Sequence, residues 1–170
     1  MARKIQSLPN KLPVRPCVGI MLINRDGLVW VGRRSPRWLA RNEPPIWQMP
    51  QGGLNPKEKP EAAAIRELQE ETGVTSASII GEVPEWLTYE LPAHLLGIAL
   101  KGRFRGQRQR WFAMRFTGHD REIDIKGCMG QKPEFDAWKW VNMKLVPEMI
   151  VPFKRDTYRA VVREFQHLAD

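Results

Sequence analysis

The stretch QGGLNPKEKPEAAAIRELQEETGV, residues 51–74, constrains this chain more than any other. A glycine pair, Gly52 and Gly53, ends a short β-rich run. Pro60 stands where a first helical residue belongs, and Gly73 where a left-handed residue would close the helix. The segment therefore reads as strand, loop and one helix. On that helix Glu67, Glu70 and Glu71 are spaced i, i+3, i+4 and share a face, whereas Ala64, Ile65, Leu68 and Thr72 turn toward another that packs. Like charges at that spacing repel by about 0.2–0.5 kcal/mol per exposed pair, and by more where they converge in a cleft. Something must compensate. Arg66, Lys57 and Lys59 would do so on a solvated surface; a hard divalent cation would do so in a site, sharing carboxylate oxygens with substrate phosphates. The glycines just upstream favour the site, because they let backbone come close to a metal or phosphate.

Around this unit the pattern is mostly β. Residues 17–24 and 28–34 form two β-rich runs joined at a tight turn, a hairpin signal. Pro36, Pro44 and Pro45 mark a loop, and IWQMPQGG a brief strand ending in glycines. SIIGEVPEWLTYELP, QRQRWFAMRFTG and DAWKWVN are strand-like. Phe153, Tyr158, Val161, Val162 and Phe165 fall at helical spacing and predict an amphipathic helix that closes the chain. This order of elements predicts an α/β protein, a mixed sheet flanked by helices.

At 170 residues the chain suits one core, read as a single domain over 14–170 behind a flexible basic segment, 1–13. No apolar run approaches the roughly 18 residues that span a membrane, and no apolar core follows the basic N-terminus as in a secretory signal. Two cysteines, Cys17 and Cys128, are too few for a disulfide framework or a thiolate metal site and fit a reducing cytoplasm. The net charge is +8, unevenly spread. Residues 1–41 carry nine Lys/Arg against one acid and 101–115 six against none, while 42–100 carry three against nine. Two basic stretches flanking an acidic middle would draw a polyanion to carboxylates that need a cation to tolerate it.

Gly52, Glu58 and the run Arg66-Glu67-Leu68-Gln69-Glu70-Glu71-Thr72-Gly73-Val74 resemble the Nudix box, GX5EX7REUXEEXGU with U aliphatic, at every fixed position. The resemblance implies the Nudix fold, an α/β/α sandwich around a mixed sheet, and a Mg²⁺-dependent hydrolase, with Mn²⁺ or Zn²⁺ as substitutes. It implies Glu70 and Glu71 as principal metal ligands, Glu67 as ligand or general base, the Gly52 carbonyl as a further ligand, Arg66 orienting the glutamates, and Glu58 supporting the loop. RPCVGIMLIN, WQMPQGGLNP, WLTYELP, GQRQRWFAMRF, PEFDAWKWV and PFKRDTYRAVVREF extend the likeness to the branch of bacterial RNA pyrophosphohydrolases and plant-type diadenosine tetraphosphate hydrolases. That branch implies Glu134 as another metal ligand, Arg15 and Arg34 on phosphates, Gln107, Arg108 and Arg110 along a substrate-facing strand, Tyr89 near the nucleoside, and Phe153 with Lys154 receiving a base. The stretch between Arg34 and Trp47 is longer than in compact relatives.

The implied substrates are 5′-triphosphorylated RNA, converted to a monophosphate end in a step that promotes RNA decay, or a dinucleoside polyphosphate cleaved asymmetrically. The implied protein is a cytoplasmic monomer with no membrane partner. A third reading, a nucleotide- or RNA-binding sensor without turnover, retains the self-repelling glutamates for no gain.

Overall fold

The computed structural model describes residues 12–35, 44–127 and 132–170. Most of the expected basic N-terminal segment, part of the lengthened stretch after Arg34, and Cys128 lie outside them. Among the described residues the strands and α-helices are, in chain order, β1 (Val14–Ile23), β2 (Val29–Arg34), β3 (Trp47–Gln48), β4 (Gln51–Gly53), α1 (Pro60–Thr72), β5 (Ala77–Glu82), β6 (Leu87–Glu90), β7 (Gly106–Phe116), β8 (Phe135–Val141), α2 (Val146–Met149) and α3 (Arg155–Phe165).

The sheet is mixed, as the element order predicts. Its spine is the parallel pair β1 and β7, in register from Val14 opposite Gly106 to Ile23 opposite Arg115. The far edge of β7 is taken in turn by β6 and β5, both antiparallel. The far edge of β1 is also shared: β4 pairs with Cys17 to Gly19, and β2 joins only at Ile23 opposite Val29. The expected hairpin is thus closed at its base alone, because β2 turns away to pair with β3 and β8.

Alternation along these strands produces two cores. Val18, Ile20, Leu22, Phe112 and Met114 face Ala63, Ala64 and Leu68 of α1; Met21, Ile23, Trp111 and Ala113 face Val146, Tyr158, Val161 and Phe165 from α2 and α3. Each large side chain so enclosed contributes roughly 1.5–3 kcal/mol. The two layers fix α1 on one face of the sheet and α3 on the other.

Several sequence expectations are corrected. IWQMPQGG is two strands, since Pro50 cannot donate to a ladder; its carbonyl instead accepts from Ile20 N at 2.9 Å. SIIGEVPEWLTYELP likewise breaks around Pro84 into β5 and β6. Ile65 is 53% exposed rather than packed, because it lies about 100° past Ala64 around α1, and Glu67 takes the inward place. Phe153 precedes the last helix, in a 3₁₀ turn over Pro152–Lys154, so it points toward the site and not along the core stripe. The short helix α2 and the 3₁₀ turns over Ala93–Leu95, Ala99–Gly102 and Asp120–Glu122 have no periodic signal at the sequence level. Among the described residues no helix is long and apolar enough to cross a membrane.

Candidate active site

α1 begins at Pro60 after Lys59, whose extended backbone leads the chain in, and ends at Gly73, whose φ of 73° places it in the left-handed region glycine favours. Packed against β4, the helix brings its carboxylates to the glycine pair. A Cβ on Gly52 would collide with the Glu67 carboxylate, and one on Gly53 with the Arg15 guanidinium, so only glycines allow the closeness seen here.

Arg66 organises the outer part of this unit. Its Nε donates to Glu58 Oε2 at 2.9 Å and its Nη2 to Glu58 Oε1 at 2.8 Å, a two-pronged clamp. Nη2 also donates to the Gly53 carbonyl at 3.0 Å, while Nη1 donates to Glu67 at 2.7 Å and Glu70 at 3.2 Å. The clamp from Arg66 holds the Glu58 carboxyl at about 2, well below the usual carboxylate range. Glu58 in turn accepts from Asn55 N at 3.1 Å, closing the loop onto the helix.

The inner part is different. Glu71 accepts one backbone hydrogen bond, from Gln51 N at 3.3 Å. Burial first, then the charges of Glu134 and Glu67, push its carboxyl well above the ordinary value. Burial also raises Glu67, against the pull of Arg66. Glu134 stands 3.6 Å from Arg34. The two residues are far apart in sequence and meet because β2 pairs with β8, Arg34 opposite Phe135.

These groups line one cleft of about 1610 Å³, together with Arg15, Gln107, Tyr89, Phe153 and Lys154. Tyr89 and Phe153 have ring centroids 5.6 Å apart, tilted by 46°, and the Lys154 ammonium lies 5.3 Å from the Tyr89 ring. Lys154 is 8% exposed, and burial followed by the nearby Arg34 lowers it to about 8. A basic wall thus faces an acidic floor.

Arg108 and Arg110 do not line the cleft. On β7 their neighbour Gln107 does, and successive strand residues point to opposite faces. Both arginines lie beside Trp86 instead, at 4.3 and 5.6 Å from its ring centroid, with Arg110 donating to Glu82 at 3.0 Å. The same alternation reveals what sequence reasoning missed on the cleft face. Trp111 Nε1 donates to Gln109, whose amide donates to both Gln107 and Gln51, each at 2.9 Å, so a fixed amide chain runs beside Gly52. Trp47 and Gln48 also reach the cleft, Gln48 with its side-chain amide enclosed and unpartnered among the described residues.

Among the described residues no three carboxylate, imidazole or thiol groups form a ready-made cation cage. Arg66 accounts for this in part, since it engages Glu67 and Glu70. The donor set still fits a hard divalent cation. The Glu71 carboxylate offers oxygen donors, and burial with two neighbouring carboxylates penalises its negative charge, a penalty that a cation would relieve.

A family model described as the NUDIX domain matches residues 13–161. The chain is 54% identical over 160 residues to an RNA pyrophosphohydrolase of Rhizobium meliloti, covering 92% of this chain and 96% of that protein. It is 55% identical over 158 residues to an RNA pyrophosphohydrolase of Rhodopseudomonas palustris, covering 93% and 95%. Among solved structures, a MutT protein from Methanosarcina mazei matches with a TM-score of 0.63 at 22% identity, covering 91% of this chain and 96% of that one. A C. elegans Ap4A hydrolase binary complex matches with a TM-score of 0.63 at 19% identity, covering 91% and 97%. Members of this family generally work with divalent metal ions. With its loop-helix carboxylates, its mixed sheet between helical layers and a family match over nearly its whole length, the chain belongs to the Nudix family.

Proposed function

We propose that this chain is a divalent-metal-dependent Nudix hydrolase acting as an RNA pyrophosphohydrolase, converting a 5′-triphosphate RNA end to a 5′-monophosphate. One observation carries the reading: the Glu71 carboxylate is enclosed in a cleft, crowded by Glu134 and Glu67, while Arg34 and Lys154 supply positive charge beside it. That pairing suits a polyphosphate brought in with a cation. The activity named for the relatives that are 54% and 55% identical supports RNA as the substrate.

Glu67, Glu70, Glu71, Glu134 and the Gly52 carbonyl would hold the cation, with Mg²⁺ assigned and Mn²⁺ or Zn²⁺ as substitutes. Bound there, it would neutralise phosphate charge and acidify a water. Arg15, Arg34 and Lys154 orient the phosphates, and the Tyr89 and Phe153 rings receive a base, whose stacking is tolerant of sequence. A carboxylate of the set, Glu67 by our assignment, takes a proton from the attacking water. The water oxygen bonds to phosphorus as the bridging P–O bond breaks, and the departing pyrophosphate keeps the bond pair. Arg66 positions Glu67 and Glu70 through its hydrogen bonds. A cytoplasmic role suits Cys17, a free and buried thiol.

Asymmetric cleavage of a dinucleoside polyphosphate is a second reading, supported by volume. A cleft of about 1610 Å³ exceeds the roughly 300–1,000 Å³ of an ordinary small-molecule site and has room for a second nucleoside.

The test is kcat/KM with Mg²⁺ for triphosphorylated RNA and for diadenosine tetraphosphate, on wild type and Glu71→Gln. We expect the RNA to be preferred, and the variant to lose more than the roughly 10- to 100-fold typical of an outer-shell change. Wild-type protein that binds RNA without releasing pyrophosphate would leave a sensor; a preference for the dinucleotide would establish the second reading.

A further inference from the structure

We infer that the sheet face opposite the cleft carries a second RNA subsite, a platform of Trp86, Arg108 and Arg110 that takes nucleotides downstream of the 5′ end. This rests on the reading of RNA as substrate. The strand pair β6 and β7 presents two unlike faces. Tyr89 and Gln107, cross-strand partners, are buried and line the cleft. One residue along, Thr88 and Arg108 are also partners, and both are exposed. Farther along the same face of β7, Phe112 and Met114 are covered by α1, whereas Arg108 is exposed.

A tryptophan serving only to fill space would be enclosed, but Trp86 is 37% exposed. The guanidinium of Arg108 lies 4.3 Å from its ring centroid and that of Arg110 5.6 Å. Its position over the ring holds the Arg108 guanidinium in place and leaves its N–H donors able to turn to phosphate. Glu82 engages Arg110 from one side at 3.0 Å, whereas the Arg108 side chain is exposed. An aromatic ring backed by guanidinium groups is the combination that binds single-stranded nucleic acid without sequence preference. Such tolerance is what an enzyme specific for an RNA end requires of the body behind it.

Charge and topology agree. Residues 101–110 carry five Lys/Arg and no acid. Of these, Arg105 is tied to Glu90 at 3.3 Å and to the Leu12 carbonyl, while Lys101 and Arg103 are exposed. Lys101 also lines the cleft, so basic character is continuous from cleft to platform along one segment. Among the described residues β6 pairs with β7 alone, leaving its other edge open for a strand to pass around. A dodecamer held in the cleft by its 5′ end extends well beyond it, whereas a dinucleotide does not, and Trp86 is not among the residues that line the cleft.

The experiment compares a 5′-triphosphorylated dinucleotide with a 5′-triphosphorylated dodecamer, measuring kcat and KM with Mg²⁺ for wild type, Trp86→Ala and Arg108→Ser. The platform predicts that both variants lose about 10-fold in kcat/KM on the dodecamer, through KM, and nothing on the dinucleotide. Arg108→Ser should also flatten the salt dependence seen with the dodecamer. Unchanged dinucleotide turnover shows that the variants are folded. Variants that treat the dodecamer as wild type does, or lose equally on both substrates, overturn the platform and leave the surface to a protein partner or to solvent. Wild type that hydrolyses neither RNA overturns the substrate reading itself, a result the variants cannot mimic.

Discussion

Two carboxylates of one loop-helix unit, Glu58 and Glu71, have been pushed in opposite directions. Glu58 is clamped by both prongs of Arg66 and sits at about 2. Glu71, at the other end of the segment, receives one backbone hydrogen bond and faces two further carboxylates, so its proton is held well above the ordinary value. The contrast separates architecture from chemistry. Where the chain supplies its own cation, the carboxylate is a structural tie between loop and helix. Where burial and neighbouring carboxylates outweigh the nearby Arg34, the negative charge is penalised, and a cation from outside would relieve it. Glu67 stands between the two, raised by burial and drawn down by Arg66.

The largest effect should come from Glu71→Gln, and it should have two signs. Turnover falls by more than about 100-fold. Metal-free stability at neutral pH rises by about 1–2 kcal/mol, because an enclosed, repelled charge is replaced by a neutral amide that still accepts from Gln51 N. Below the unfolded value of 4.5 the wild-type carboxyl is protonated in both states and carries no penalty. As pH climbs from there through the raised folded value, wild type loses stability that the variant keeps. Thermal unfolding of both proteins in chelator across pH 4–8, then with Mg²⁺, checks this. A variant that is less stable in chelator would erase the distinction between the two ends.

Arg66→Met comes next, at about 2–4 kcal/mol of destabilisation by chemical denaturation, since five hydrogen bonds go and three carboxylates lose their shared partner. Arg66→Lys should recover less than half, because a point charge cannot make the two-pronged clamp on Glu58. Full recovery by lysine would reduce the outer end to simple charge balance and blur the comparison from the other side.

How much of this was legible in the sequence depended on how local the cause was. The loop-helix unit, its first residue at Pro60 and its end at Gly73 follow from short-range rules. The three helix glutamates and Arg66 are close because of helix spacing, and they are close in the fold. Glu134 has no local signal; it meets the others through the pairing of β2 with β8, and only resemblance suggested it. Arg108 and Arg110 lie off the cleft, and the cue for this is present in the sequence, since strand alternation puts them opposite Gln107 and points equally to Gln109. Ile65 failed for the reverse reason: apolar spacing marked it as core, while the helix turned the nearby Glu67 inward toward Gly52. Tertiary demand at the site overrode composition there.

The smallest of the three effects is the one that isolates the structural tie. Glu58→Gln removes the charge from the clamp and keeps its shape, and should cost about 1 kcal/mol at neutral pH, modest because the pair is partly solvated. Its pH signature runs opposite to that of Glu71. With a folded value of about 2 against 4.5 unfolded, Glu58 contributes its full stability above 4.5 and loses it as pH falls through about 2. Wild type and Glu58→Gln should therefore differ at pH 7, with the difference narrowing below pH 4.5 and closing only toward pH 2, and with kcat in saturating Mg²⁺ nearly unchanged. A difference that persists at low pH would mean that the tie acts through packing and not charge; a large loss in kcat would make Glu58 part of the chemistry and merge the two ends into one site.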